Sequence, residues 1–301
     1  MPDAITLCHL CGLHPTGEQS HIIPRFVSTR IAQDCGGFSF REASNPNKVV
    51  QNTITFPLLC ADCEDLFWKW EDIFSRETFR PYFDNDEQPV IFDRNTFDLM
   101  ISICWRVLKY TLLAHPPAIN FSYLNDAEKI WRDYLLAKRT NVATFQPYLV
   151  LDRDFSNSVI QNSAALTRTH LRNTIAQGIF GVPAIDLPGV FRHVVYAKLG
   201  PFILFGVMFS SDEIIDQNDS WQAVEQTVSD KVRQNPEKLP TSIISHVDVT
   251  TSKIIKSMEL LSDKQKIKQN TLVTKKLHKA PVRHLVNEDK RLFPTDSTKD
   301  N

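Results

Sequence analysis

Apolar residues recur at helical spacing in some stretches of this chain and in short branched or continuous runs in others. From Glu64 the positions Phe67, Trp70 and Phe74 fall three and four apart, which predicts a helix with one apolar face. Pro81 marks its expected end, because the residue before a proline is driven out of helical geometry. A second helix is predicted from Asn95-Thr96 through Phe97, Ile101, Trp105, Leu108 and Leu112, stopped by His115-Pro116-Pro117. A third starts at Asn125 or Asp126, with Ile130, Tyr134 and Ala137 facing inward. Residues 156–177 and 217–234, the latter around Trp221, Val224 and Val228, also read as helical.

Strands are expected elsewhere. The segment from Lys48 to Phe56 is rich in branched residues and β-like, and the turn-rich Ser44-Asn45-Pro46-Asn47 precedes it. Pro147 to Leu151 reads as a strand. Val194 to Ala197 and Phe202 to Phe209 form two more, joined as a hairpin across Leu199-Gly200-Pro201. The fold class is therefore α+β. The organisation expected is a small N-terminal module at 1–80, a helical segment at 81–145, an α+β body at 146–250 and a basic, partly disordered tail at 251–301.

Composition changes this picture little. The chain has 301 residues, is 42% hydrophobic and 23% charged, and carries a net charge of −1, so nothing in the whole-chain charge argues for nucleic acid. Its distribution says more. From Lys253 to Asn301 there are 12 Lys and Arg against 6 Asp and Glu, a basic end on an acidic body, which suits an anionic partner or a solvated tail. The most apolar run, Val194 to Phe209, is interrupted by Lys198 and Gly200-Pro201 and falls short of the roughly 20 residues a membrane helix needs.

The cysteines carry the strongest signal. Cys8-His9-Leu10-Cys11 and Cys60-Ala61-Asp62-Cys63 are two Cys-x-x-Cys pairs, and four thiolates complete a tetrahedral zinc shell. Gly12 after Cys11 suits a knuckle turn, and Cys63 is expected in the first turn of the aromatic-rich helix. A shell of four cysteines leaves no open position, so this zinc is expected to hold structure. Met1-Pro2-Asp3-Ala4 has no signal-peptide pattern; the expected compartment is the reducing cytoplasm, which favours zinc thiolates over disulfides. Cys104 reads as a core residue and Cys35 as a loop thiol.

Chemistry beside such a zinc falls to His21, which lies ten positions beyond Cys11 in Ser20-His21-Ile22-Ile23-Pro24. An imidazole can serve as general base on a water, because its ordinary pKa is close to neutral. Phosphodiester cleavage also needs a divalent cation on the scissile phosphate. Glu64, directly after the last cysteine, offers the hard oxygen that suits magnesium or manganese. The other reading makes His21 a polar structural residue. Arg106, the Arg132/Asp133 pair and His170 read as surface or packing groups, and the aromatics after Glu64 as core.

The combination of a Cys-x-x-Cys pair, a His-Ile-Ile-Pro box and Leu59-Cys60-Ala61-Asp62-Cys63-Glu64 resembles the HNH endonuclease family, over roughly the first quarter of the chain. In detail, Ser20-His21-Ile22-Ile23-Pro24 and Leu58 to Glu64 resemble a divergent bacterial branch, part of it associated with phage defence. Ile103-Cys104-Trp105-Arg106 echoes a helix that follows the zinc module there. The resemblance implies a treble-clef, ββα-metal-like fold for the zinc module. It also implies a metal-dependent endonuclease acting on DNA, with a possible protein partner or activator. His21 stands at the position of the family's water-activating histidine, and Cys8, Cys11, Cys60 and Cys63 at its structural zinc ligands. Ser20 stands where an Asp usually helps hold the catalytic metal. Thr55 stands near the place of the Asn that orients the histidine, with Asn52 three residues upstream. Glu64 stands where a His or Asn is usual. These departures leave two other readings in play. One is a catalytically silent zinc module that binds DNA or RNA through Arg25, Arg30, Arg41, Lys48 and the basic tail. The other is a zinc-stabilised interaction protein.

Overall fold

The computed structural model describes residues 6–17, 19–34, 40–50, 53–85, 88, 90, 92–118, 121–153, 172–183, 191–208, 241–267 and 271. Cys35, Gly36-Gly37, Asn52, His170, the predicted helix at 217–234, most of that at 156–177 and most of the basic tail lie outside them. The fold is α+β, with a four-cysteine cluster near the N-terminus.

Among the described residues up to 60, two short antiparallel strand pairs form, beside an isolated bridge between Leu7 and Pro15. Strand β1 (Ser20–His21) pairs with β4 (Thr55–Phe56), and β2 (Phe40–Glu42) pairs with β3 (Asn45–Val50). The single β-like run expected from Lys48 to Phe56 is thus two strands with different partners, and Asn45 to Asn47 lie in β3 rather than in a turn. Helix α1 (Arg25–Asp34) follows β1, and helix α2 (Ala61–Phe74) follows β4.

Pro81 does not end the helical path that α2 begins. The chain continues through a π-helical turn, Ser75–Phe79, into α3 (Arg80–Asp84). In an α-helix a proline loses a hydrogen bond and crowds the carbonyl four residues back. Here the wider turn comes first, with the Arg80 N–H donating to the Ser75 carbonyl, and Pro81 enters at the start of α3, where its missing donor costs little.

Helix α4 (Arg94–Ala114) is the centre of the molecule. Asp93 caps it, its carboxylate accepting the Thr96 N–H at 2.8 Å, and His115 ends it. Every residue from Leu99 to Leu108 is buried, so α4 is enclosed on all sides by α2, by α5 (Ser122–Leu135) and by the main sheet. Helix α5 starts earlier than Asn125. Tyr123 and Leu124 are buried in its first turn, and the Tyr123 hydroxyl sits 2.5 Å from Nδ1 of His193, anchoring that turn to the sheet. Its inward face is Leu124, Ala127, Trp131 and Tyr134, with Ile130 half-buried. Ala137 lies beyond the helix, exposed, at φ 55°.

The main sheet is antiparallel with order β5-β8-β7-β6, formed by Pro147–Leu151, Phe202–Met208, Phe191–Leu199 and Ile175–Pro183. The hairpin expected around Gly200-Pro201 joins β7 to β8, and Gly200 sits at φ 65°. The end of the predicted 156–177 helix is strand instead: Ile175, Ala176 and Gln177 pair with Leu199, Lys198 and Ala197.

The sheet's two faces are both covered. Leu149, Val195, Ala197 and Leu204 belong to the main core with α4 and α5, and Phe202 packs against the rings of Phe74, Phe79 and Tyr82. Tyr148, Val150, Val194, Tyr196 and Phe205 pack with Ile244 and Val247 of helix α6 (Thr241–Glu259). Burial on both faces explains the continuous apolar run in the sequence. The sheet meets α4 and α5 closely: a Cβ at Gly206 would come within 2.7 Å of the Cys104 sulfur and 3.1 Å of Trp131. Cys104 is the core residue its surroundings predicted. Among the described residues no helix is long and apolar enough to cross a membrane. One contiguous core runs from Cys8 and Leu10 through Trp105 to Met208, so the cysteine cluster and the sheet share an interior.

Candidate metal centre and the histidine beside it

Cys8, Cys11, Cys60 and Cys63 converge as the spacing predicted. Their sulfurs all lie within 4.8 Å of one another, with 3.7 Å between those of Cys11 and Cys60. A tetrahedral zinc with bonds near 2.3 Å places its sulfurs about 3.8 Å apart, so the donor set and its spacing fit zinc. The first pair sits on a knuckle. The Gly12 N–H donates to the Cys8 carbonyl at 2.8 Å, Gly12 adopts φ 72°, and the Leu13 N–H points at the Cys11 sulfur at 3.5 Å. Positive φ is a region glycine enters freely, so the knuckle closes without strain. The second pair opens α2: Cys60 is its N-cap, Cys63 lies in its first turn, and the Cys63 N–H donates to the Cys60 carbonyl.

Electrostatics follow from crowding four thiols. Although burial pushes it up, the backbone N–H groups of Leu13 and His14 and the neighbouring thiols hold Cys11 at about 6. Burial raises Cys60, with the N–H and thiol of Cys63 opposing and the Cys11 and Cys8 thiols adding, and burial together with the neighbouring thiols raises Cys63 strongly. A cluster that cannot hold four adjacent negative charges by itself is what a divalent cation stabilises, since the ion reverses the local penalty.

His21 ends β1, directly opposite Thr55 in the β1–β4 register. Ser20, one residue earlier, is 2% exposed, and its Oγ accepts the Leu59 N–H at 3.1 Å. Ser20 thus braces the strand against the residue before Cys60. Glu64 lies on the first turn of α2. Nε2 of His21 and Oε1 of Glu64 are both buried with no hydrogen-bond partner, and the two side chains are close enough for the carboxylate to act on the imidazole. Burial lowers the His21 pKa and the Arg25 and Arg106 charges add to this, while Glu64 opposes it. The imidazole is therefore neutral near pH 7.

The four basic residues expected to meet phosphate are dispersed. Arg25 is exposed at the start of α1 and near enough to act on His21. Arg30 is paired with Asp84 and lies over the Phe83 ring. Arg41 donates to the Pro46 carbonyl and to Gln265, each at 2.6 Å. Lys48 is exposed, 3.8 Å from Glu42.

Two residues beside His21 are not assigned to this site from the sequence: Glu71, and Arg106, which reads there as a surface or packing group. Arg106 of α4 is 2% exposed. It donates through one terminal nitrogen to the His21 carbonyl at 3.0 Å and pairs with Glu71 of α2 at 2.8 Å. Glu71 stands seven residues after Glu64, two helical turns along the same face, and that spacing is the one signal that could have raised it. Nothing in the sequence links Arg106 to His21. No protein-family model, curated protein or solved structure matches this chain.

Proposed function

We propose that the N-terminal module is a treble clef of the HNH, ββα-metal type and that the protein is a metal-dependent endonuclease. Its reaction would be hydrolysis of DNA phosphodiester bonds, in the setting of bacterial defence that the sequence resemblance implies. The observation that carries this reading is the pair of orphaned buried atoms, His21 Nε2 and Glu64 Oε1. Buried polar atoms are nearly always satisfied, and an unpartnered imidazole nitrogen within electrostatic reach of an unpartnered carboxylate, on the module that bears a zinc-fitting cluster, suits a hydrated cation and a reacting water.

In this reading the zinc held by Cys8, Cys11, Cys60 and Cys63 is structural. Glu64 would hold magnesium or manganese, which when bound polarises the scissile phosphate and stabilises the leaving oxygen. His21, kept neutral by burial, takes the proton of the attacking water on Nε2. Thr55, opposite His21 in the ladder, flanks the histidine from β4, and Ser20 fixes β1 to the segment that enters the zinc site. Arg25 is the cation placed to meet a phosphate next to His21.

One observation favours a second reading, a zinc module that binds DNA or RNA without cleaving it. The Ser20 hydroxyl, at the position where the resembled family helps hold its metal, is already engaged by the Leu59 N–H.

Plasmid cleavage by zinc-loaded protein in magnesium or manganese, wild type beside His21→Ala, separates the two. Cutting by the wild type alone supports the nuclease. Binding that weakens steeply with salt, without cutting by either protein, supports the binding module. Equal cutting by both removes His21 as the base.

A further inference from the structure

The strand that carries His21 is short. β1 and β4 pair over two residues each, and the Ile22 N–H donating to the Ile54 carbonyl adds one bond. A two-stranded ladder of this length is marginal by itself. Beside the Ser20–Leu59 bond, a reinforcing residue comes from a different layer, 85 positions along the chain.

Arg106 occupies the junction of three elements. One terminal nitrogen of its guanidinium bonds the His21 carbonyl on β1 and the Glu71 carboxylate on α2. Nε faces the Ser102 carbonyl, and the other terminal nitrogen faces the Ser102 hydroxyl, each at 3.4 Å within α4. The guanidinium also lies over the Phe67 ring, 5.2 Å from its centroid. All three nitrogens are therefore engaged at a nearly fully buried position. Burying such an ion pair costs desolvation that a packed apolar pair would not, so stability alone is a weak reason for it. What the pair does provide is geometric: a planar, multidentate donor fixes the two groups it bonds relative to each other. One of those groups belongs to the residue that bears the orphaned imidazole. The other lies two turns along the helix that bears Glu64.

We propose that Arg106 is a positioning residue, holding the His21 main chain and Glu71 together so that the His21 imidazole and the Glu64 carboxylate face each other at a set separation. This rests on the reading of His21 and Glu64 as the reactive pair. Its central claim, that Arg106 sets where the His21 ring lies, can be tested without any cleavage assay.

The experiment is NMR on full-length, zinc-loaded protein with ring-labelled histidine, the His21 signal being assigned by its loss in His21→Ala. In Arg106→Met and in Glu71→Gln the His21 signal is expected to shift or broaden. The zinc content and the signal of the exposed His14 are expected to hold. Arg106→Lys, which restores a donor without the fork, should fall between wild type and Arg106→Met. An unmoved His21 signal in Glu71→Gln overturns the proposal, and that variant decides the matter if Arg106→Met fails to fold. Where the wild type cleaves DNA, Arg106→Met should lower kcat on the order of tenfold or more with little change in KM. A loss carried entirely by KM would overturn the positioning role. Absence of cleavage by the wild type counts against the nuclease and leaves the NMR result to stand or fall alone.

Discussion

The hydroxyl of Ser20 accepts the backbone N–H of Leu59, joining the strand that bears His21 to the residue that precedes Cys60. Both residues are buried, so water cannot replace either partner. Ser20→Ala should leave the Leu59 N–H unsatisfied and cost about 1–3 kcal/mol, read as a lower urea midpoint at unchanged slope. An unaltered midpoint would show that the brace contributes nothing.

Replacing a cysteine of the four-thiol cluster should do more. Cys60→Ser is expected to lose zinc, since a structural metal contributes folding energy directly. Cys60 shares its core with Val27, Trp105 and Leu204. The destabilisation should therefore spread past the first 80 residues and appear in the global melt, not as a separate early transition. Zinc analysis beside calorimetry checks both parts. Retained zinc with an unchanged melting curve would rule out the four-cysteine site.

A third expectation concerns pH. Lys198 is fully buried, its ammonium donating to the Gly200 carbonyl beside Asp152 and Arg172. Arg172 is held at 3.0 Å by Asp152, which also accepts from the Tyr82 hydroxyl at 3.0 Å. Burial pushes the Lys198 pKa from 10.5 down to about 7; Arg172 adds to the shift and Asp152 opposes it. Between those values the unfolded chain holds a proton that the folded chain has released, so this group makes stability rise with pH across that window and fall as pH drops toward 7. Lys198→Met should remove that contribution. The stability difference between variant and wild type, measured by urea unfolding from pH 7 to pH 10, is expected to move steadily in favour of the wild type. A difference independent of pH would mean Lys198 does not titrate in this range.

Chemistry at the proposed site should follow His21. With burial and Arg25 lowering its pKa, the imidazole is deprotonated near neutrality. Cleavage should therefore fall only at pH values below its ordinary range, and His21→Ala should abolish it while leaving zinc bound.

Much of the local structure was legible because its causes are local. Two Cys-x-x-Cys pairs with a glycine after the first dictate a knuckle, since only the chain between ligands sets their reach. The C-terminal limit of α4 follows from His115-Pro116-Pro117, while Asn95 and Thr96 indicate its start to within a turn, the cap itself being Asp93. The hairpin at Gly200-Pro201 follows from two apolar runs meeting at a residue free to take positive φ.

Other features had no local cause. Ile175 to Gln177 are strand because β7 lies alongside them with open hydrogen-bonding groups. Lys48 to Phe56 splits into two strands because β2 and β1 claim different halves. The helical path passes Pro81 because a π turn widens ahead of it. The sequence by itself determined which four cysteines cluster where a metal ion could be held, which histidine is the candidate base and the α+β class, all written in residue type and near spacing. The tertiary structure alone decided that Arg106 and Glu71 complete the surroundings of His21, because the contact between Arg106 and His21 spans 85 residues and exists only once α4 has packed between α2 and the sheet.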